Sequence, residues 1–303
     1  MHEPRFMTSE MIRIPVAMRA ALWMGGALMS FALMAISVRE LHRSIGSFEI
    51  VFLRSVISLL IMLALLPQFG GRALITRRFG LHMVRNVLHF AGQSAWVFAI
   101  GALPLATVFA IEFTMPVWTA VLASFILGEQ LNRGRVVMLA MGLAGIFIIL
   151  KPGFQHVPPA ALVMLCGSLA YASTMIATKR LAAHDTVFAV LFYMAAIQVP
   201  LGLLFALPEW ITPGVAELPW IIAVGATGLS AHMCLTRALR IADATLVVPF
   251  DFLRLPLIAV VGMLFYSEPP QLAVFLGAGV IFAGTYYSIR RESRPRTAVS
   301  RGS

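Results

Sequence analysis

Charged side chains are scarce in this chain: 12% of its 303 residues are charged and 60% are hydrophobic. Soluble domains are about one quarter charged. With a mean hydropathy of +0.89, the chain has too little polar surface to face water on all sides, which excludes an ordinary soluble globular domain. We therefore expect an all-α integral membrane protein whose solvent is the lipid bilayer.

Cysteine is nearly absent, and the loops that bind phosphate are missing. Cys166 and Cys234 both lie within apolar runs, where small buried side chains are more common than a disulfide or a pair of metal ligands. The sequence contains no Gly-Lys-Ser or Gly-Lys-Thr loop, so an ATPase built into the chain is not expected. It also lacks a cluster of acid–base residues or metal ligands, so we predict no enzyme activity, no cofactor and no metal site.

Basic residues outnumber acidic ones, and the formal net charge is +10. The basic residues lie in short segments between apolar runs. They form neither a long arm nor a basic helix with interleaved aromatic side chains, the patterns typical of nucleic-acid binding. We therefore expect no nucleic-acid partner.

Ten apolar runs are long enough to cross a bilayer, which takes about 20 residues of helix. No small-residue cleavage site follows the first run, so it is predicted to be a retained span and not a signal peptide. The predicted spans are 18–38, 47–66, 81–100, 104–126, 134–150, 158–178, 186–207, 217–236, 245–266 and 271–289.

The distribution of lysine and arginine predicts the orientation of these spans. With the N-terminus inside, 18 basic residues fall in the inner segments and three, Arg39, Arg43 and Lys151, in the outer ones. Cytoplasmic segments are the basic ones in membrane proteins. The sequence thus predicts a multi-pass protein of the bacterial inner membrane with both termini in the cytoplasm.

The two halves of the chain resemble each other. Pro116 pairs with Pro256 at an offset of 140 residues, and Glu129 pairs with Glu268 at 139. The alternative is chance similarity between segments rich in leucine and alanine. Because each half holds five spans, an odd number, the second copy would enter the membrane upside down. The predicted repeats are 18–150 and 158–289, with cytoplasmic tails at 1–17 and 290–303.

A pattern of small residues, proline and glutamate recurs in both halves. In the first half it is Ala102-Leu103, Ala106, Pro116-Val117, Gly128-Glu129 and Gly145. In the second half it is Ala238-Leu239, Ala244-Thr245, Pro256, Ser267-Glu268, Gly277 and Gly284. From about residue 18 to 289 the chain therefore resembles the EamA module of the drug/metabolite transporter superfamily.

This resemblance implies ten transmembrane helices in two inverted five-helix EamA repeats around a central cavity. Helices 1, 3, 4, 6, 8 and 9 would form most of that cavity. Met138 departs from the pattern, because the second copy has Gly277 at the matching position. We expect this departure to affect helix contact more than function.

Within the superfamily the chain is similar to YddG-type exporters of aromatic and other neutral amino acids. The similarity implies a secondary transporter that exports small metabolites, including amino acids, by alternating access, with a gradient of substrate or protons as the driving force. The alternative is an importer of S-adenosylmethionine, riboflavin or another metabolite on the same fold. A five-helix half would not enclose the cavity alone, so a working monomer is expected.

The third span carries polar and amphipathic side chains on one helical face. His82, Arg85, His89, Gln93 and Trp96 follow each other at spacings of three or four residues, so they align along the helix. The first two are expected near the inner surface. The last three are predicted to line the substrate path, although a hydrogen-bonded packing role remains the alternative for His89.

Ionisable residues in the fourth and ninth spans are further candidates. Glu112 is predicted either to couple transport to protons or to form a structural ion pair with Arg54 or Arg254. Asp251 and Arg254, three residues apart, share a face. They would bind the amino and carboxylate groups of a substrate, or else form an internal salt bridge.

Other side chains suited to an apolar or flat solute complete the prediction. Hydroxyl groups in membrane helices often bond to their own backbone, and aromatic residues also serve in packing, so a structural role is the alternative for each. The remaining candidates for substrate contact are Met24, Trp118, Tyr171, Thr174 and His232.

Overall fold

Helices make up all the regular structure in the residues that the computed structural model describes, which are 15–128, 132–151, 157–182, 184–242 and 244–292. Short 3-10 turns occur at Gly71–Leu74 and Leu207–Glu209. The α-helices are α1 (Val16–Leu41), α2 (Ser47–Phe69), α3 (Phe79–Ala102), α4 (Leu105–Glu112), α5 (Met115–Leu127), α6 (Arg133–Leu150), α7 (Pro159–Ala182), α8 (Val187–Ala206), α9 (Leu218–Ile241), α10 (Ala244–Phe252), α11 (Arg254–Tyr266) and α12 (Leu272–Glu292).

Nine helical segments in the described residues are long and apolar enough to cross a membrane. The helix α3 is equally long but does not reach that hydropathy, because polar side chains such as Asn86, His89 and Gln93 interrupt it, and these are buried inside the protein. With α3 the structure has the ten predicted spans. Large apolar side chains face outward, among them Phe125, which is 83% exposed, and Leu264, which is 68% exposed, as expected for contact with lipid.

The fourth and ninth spans differ from the sequence prediction, because each is broken into two helices. The break between α4 and α5 lies at residues 113–114, and the break between α10 and α11 lies at 253. Proline lacks an amide hydrogen and clashes with the carbonyl four residues earlier. Pro116 and Pro256 act in this way on the carbonyls of Glu112 and Phe252, so the breaks fall at matching positions of the two halves.

The helices of the first half pack mainly against those of the second. The closest pairs are α1 with α9, α3 with α7, α2 with α8, and α6 with α12. The repeat matches α1 with α7, α2 with α8, α3 with α9 and α6 with α12. Exchanging the two halves therefore converts the α1–α9 pair into the α7–α3 pair, and the α2–α8 and α6–α12 pairs are each converted into themselves. This pattern is expected for two related repeats joined about a pseudo-twofold axis.

Glycine permits a close contact between α6 and α12. A Cβ added to Gly145 would lie 2.6 Å from the Gly277 carbonyl oxygen, and a Cβ added to Gly277 would lie 2.6 Å from that of Gly145. At the matching contact, Gly284 faces the backbone of Met138 at 3.3 Å. Met138 thus lies at a helix contact, the position at which its departure from the repeat pattern was expected to act.

The predicted tails, 1–17 and 290–303, lie almost wholly outside the described residues, and so does Glu129. The α7–α8 turn is anchored to α3 and to the segment before it. The Asp185 carboxylate accepts hydrogen bonds at 2.8 Å from the Thr76 hydroxyl and from His82 Nε2. His82 is therefore a structural contact near one end of the bundle.

Candidate functional site

Two carboxylates and one guanidinium meet at the breaks in the fourth and ninth spans. Arg254 Nη1 donates to Glu112 Oε1 at 3.2 Å, and Arg254 Nη2 donates to Asp251 Oδ2 at 3.2 Å. The Trp96 indole nitrogen donates to the other oxygen of Glu112 at 2.9 Å. Of the two partners predicted for Glu112, the structure therefore selects Arg254.

Aromatic rings surround the Arg254 guanidinium. Its carbon lies 4.3 Å from the centre of the Phe31 ring, 5.1 Å from that of Phe113 and 5.3 Å from that of Phe109. Cation–π contacts of this kind are attractive and become stronger where water is excluded. The site therefore combines both signs of charge with flat apolar surfaces, a combination that suits a zwitterionic solute carrying a ring.

A second polar group lies between α3, α7, α8 and α9. The Gln198 amide nitrogen donates to His89 Nδ1 at 2.7 Å, and the rings of Tyr171 and His232 lie 5.5 and 6.2 Å from that of His89. The Gln198 amide oxygen is buried without a hydrogen bond to the described residues. The hydrogen bond to Gln198 supports a packing role for His89. The ring contacts of His89 with Tyr171 and His232, which are also predicted site residues, support a role in substrate binding.

Two further arginines lie near this histidine group. Arg54 is 1% exposed and Arg85 is 6% exposed, and both interact electrostatically with His89 and His232. Arg85 donates to the Thr178 hydroxyl at 3.2 Å and to the Asn86 side-chain oxygen at 2.6 Å. The interior between α2, α3 and α9 is therefore electropositive.

The other predicted site residues are more dispersed. Met24 is fully buried in a small apolar cluster with Ala238 and Val247. The Thr174 hydroxyl bonds to the Ala170 carbonyl of its own helix at 3.0 Å, and the Trp118 indole nitrogen is buried without a partner among the described residues. Gln93 is 3% exposed on the face of α3 that holds His89.

Sequence reasoning missed Gln198 and Asn86. Gln198 is a single amide within an otherwise apolar span, the same signal that singled out Gln93. Its partner could not be inferred, because the two residues of the Gln198–His89 pair are 109 positions apart. Among the described residues, no three His, Cys, Asp or Glu side chains gather closely enough to hold a metal ion.

At one end of the bundle, which we call the Arg39 end, an ion pair joins the two halves. Arg39 lies 2.9 Å from Glu268 and donates to the Leu103 carbonyl at 2.6 Å, and the Leu105 amide donates to Glu268 at 2.8 Å. The contacts tie the end of α1 to the α3–α4 turn and the α11–α12 segment. They join the two halves of the chain at this end of the bundle.

A half-buried histidine, His42, supports the same end of the bundle. His42 Nε2 lies 2.8 Å from the Val97 carbonyl oxygen, to which it donates. Burial lowers the pKa of His42 from its ordinary value, the Val97 carbonyl opposes that shift, and the nearby charge of Arg39 lowers the pKa further. A neutral ring therefore fits this contact best.

A family profile described as the EamA-like transporter family matches residues 18–151 and 158–290. The chain is also similar to transporters of several bacteria. It is 28% identical to the S-adenosylmethionine uptake transporter of Rickettsia prowazekii (strain Madrid E) over 272 residues, 90% of this chain and 92% of the relative. It is 29% identical to the riboflavin transporter of Brucella anthropi, covering 82% of this chain and 90% of the relative.

A relative named for the opposite direction of transport is similar as well. The chain is 26% identical to the pseudopaline exporter CntI of Pseudomonas aeruginosa (strain UCBPP-PA14), with 88% of this chain and 94% of the relative covered. A solved crystal structure shares the fold with a TM-score of 0.61 at 17% identity, covering 91% of this chain and 99% of that one. Because the family profile matches both halves, the chain belongs to the EamA-like transporter family of the drug/metabolite transporter superfamily and is a multi-pass membrane transporter of small molecules.

Proposed function

We propose that this transporter exports small metabolites of the amino-acid type, including aromatic and neutral ones, across the bacterial inner membrane by alternating access. The observation that carries the proposal is the Glu112–Arg254–Asp251 group enclosed by Phe31, Phe109 and Phe113. The amino group of such a solute could pair with Glu112 or Asp251, and a ring could stack on the phenylalanines.

Broken helices support a transport site at this depth. In many secondary transporters, substrates and coupling ions bind where helices are interrupted, at the interface of the repeats. Here Glu112 ends α4 and Arg254 begins α11, on opposite repeats. A change in their pairing would therefore act directly on the interface that rocks during alternating access.

The proposal includes orientation, repeats and oligomeric state. The excess of basic residues in alternate segments supports cytoplasmic tails, so the Arg39 end would face outward. Residues 18–150 and 158–289 would be the two rocking repeats of a functional monomer. Protons are the proposed coupling ion, with Glu112 as their carrier, because it is a carboxylate in the interior of the bundle.

A second candidate function is import on the same fold. Relatives of this chain are named as uptake transporters of S-adenosylmethionine and as riboflavin transporters. S-adenosylmethionine combines an amino-acid group with a flat purine, so it fits the same charges and rings. The direction of transport would then depend on the gradients of solute or protons and not on the residues that bind the solute.

Purified protein in liposomes tests these proposals. We expect counterflow of labelled phenylalanine or methionine in loaded vesicles, with labelled S-adenosylmethionine and riboflavin as alternative probes and protein-free liposomes as the control. Movement of S-adenosylmethionine or riboflavin alone would favour the second candidate. No movement of any amino acid would contradict the amino-acid proposal, and flux that is indifferent to a pH gradient would remove Glu112 as a proton carrier.

A further inference from the structure

Arg54 is a buried cation without a counter-ion. Its side chain is 1% exposed, and no hydrogen bond or ion pair joins its guanidinium to any described residue, with Nε fully enclosed and unpartnered. A buried charge of this kind is costly unless it is paired. Such a residue within a membrane span indicates a functional contact.

Among the described residues, the charged side chain that lies near Arg54 is a second cation, and no carboxylate pairs with Arg54. Arg85 interacts electrostatically with Arg54, and its guanidinium bonds to the neutral side chains of Thr178 and Asn86. Glu49, one turn away on α2, accepts a hydrogen bond from the Ile211 amide instead. This region therefore attracts an anion.

Arg254 offers a clear contrast. Two carboxylates, Glu112 and Asp251, already neutralise it at 3.2 Å each. A substrate carboxylate at Arg254 would have to displace one of them, whereas Arg54 forms no hydrogen bond with a described residue that would have to break first. Arginine binds carboxylates through two parallel hydrogen bonds, a strong and directional contact.

We propose that Arg54 binds the carboxylate of the transported solute; this inference rests on the proposed function and names the chemical class of its substrate. Tyr171 interacts electrostatically with Arg54 and also with Glu112 and Arg254, so one side chain lies near both charged groups. A solute with its carboxylate at Arg54 therefore extends past Tyr171 towards the Glu112–Arg254–Asp251 group, where its amino group meets a carboxylate.

The proposal separates the solutes named for the relatives. Amino acids and S-adenosylmethionine carry a free carboxylate, and riboflavin carries none. The site is therefore expected to accept the first two and to discriminate against compounds in which the carboxylate is masked.

The test compares phenylalanine and S-adenosylmethionine with phenylalanine amide as competitors of counterflow in proteoliposomes. In the unmodified protein the amide should compete at least about 10-fold less well than the acid, as expected for a charge-assisted hydrogen bond. Arg54→Gln should weaken competition by phenylalanine and S-adenosylmethionine by about 10- to 100-fold and leave competition by the amide nearly unchanged. Arg54→Lys should recover part of the affinity for the acids.

Arg43→Gln is the control variant, and Gly228→Ala is a second test of the site. Arg43→Gln removes an arginine whose ion pair with Glu40 is largely exposed, and it should behave as the unmodified protein. Gly228→Ala keeps every charge but places a methyl group 3.0 Å from Arg54 Nε. It should therefore weaken competition by the two acids and not by the amide. This variant provides a test if Arg54→Gln does not fold.

The outcomes distinguish this inference from the proposed function. Equal competition by acid and amide, or movement of riboflavin alone, would overturn the role of Arg54 while leaving a working transporter. Failure of every probe to move in the unmodified protein would contradict the proposed function itself. A folded Arg54→Gln or Gly228→Ala variant with full affinity for the acids would also overturn the inference.

Discussion

At the scale of single residues, two of the buried arginines have different environments. Arg254 is held by two carboxylates and by aromatic faces, whereas Arg54 lacks an anion among the described residues. The sequence named both arginines as possible partners of Glu112. It could not distinguish them, because Glu112 and Arg254 are 142 positions apart and no local pattern shows which helices pack together.

The ion pairs of Arg254 predict an order of stabilities. Arg254→Gln leaves Glu112 and Asp251 without their cation, so we expect a loss of about 3–5 kcal/mol, as for other broken buried pairs. Glu112→Gln leaves the Arg254–Asp251 pair intact and should cost only about 1–3 kcal/mol, the cost of weakened hydrogen bonds. Unfolding in detergent, followed by tryptophan fluorescence, measures both losses. A greater loss for Glu112→Gln would contradict the assigned pairing.

At the scale of helices, the two halves are joined by close packing in one place and by charge in another. The α6–α12 contact depends on Gly145 and Gly277, where backbones approach too closely for a side chain. The Arg39 end depends on an ion pair between repeats. The sequence associated the positions of Met138 and Gly277 with helix contact, whereas the ion pair joins residues that no spacing rule connects.

Replacing Gly145 tests the packing contact. A Cβ there would lie 2.5 Å from an Ile281 side-chain carbon and 2.6 Å from a backbone oxygen, so Gly145→Ala should destabilise the protein by about 1–3 kcal/mol through overpacking. Gly279→Ala on α12 is the matched control, since nothing lies within 4 Å of its added Cβ. Equal thermal stability of the two variants would contradict the contact.

Removing one charge at the Arg39 end tests the closure there. Glu268→Gln weakens the contact with Arg39 and should open this end more often. A cysteine placed at Ser30, which bonds to Ser230 at 2.8 Å inside the bundle, should then react several-fold faster with a maleimide applied from that side. The background is Cys166→Ala/Cys234→Ala, and Arg43→Gln is the control. An unchanged rate would show that this ion pair does not close the path.

At the scale of the whole molecule, the sequence was sufficient to predict ten spans and a duplication, because both depend on composition and on residues repeated at a fixed offset. It did not predict that the fourth and ninth spans are broken, although Pro116 and Pro256 were noted as repeat markers. A proline permits a kink or a break in a membrane helix, and the packing around Glu112 and Arg254 decides between them. The Gln198–His89 contact was missed for the same reason, since it depends on tertiary packing.

Inversion of the repeats predicts opposite exposure of equivalent turns. Ser44 in the α1–α2 turn and His184 in the α7–α8 turn are 140 positions apart, the offset of the repeat. In the cysteine-free background, an impermeant maleimide added to intact cells should label Ser44→Cys and spare His184→Cys, and inside-out vesicles should reverse the result. Labelling of both cysteines from the same side would mean that the two repeats are inserted in parallel. Such repeats would not be related by a pseudo-twofold axis in the membrane plane, and alternating access between two equivalent states would be contradicted.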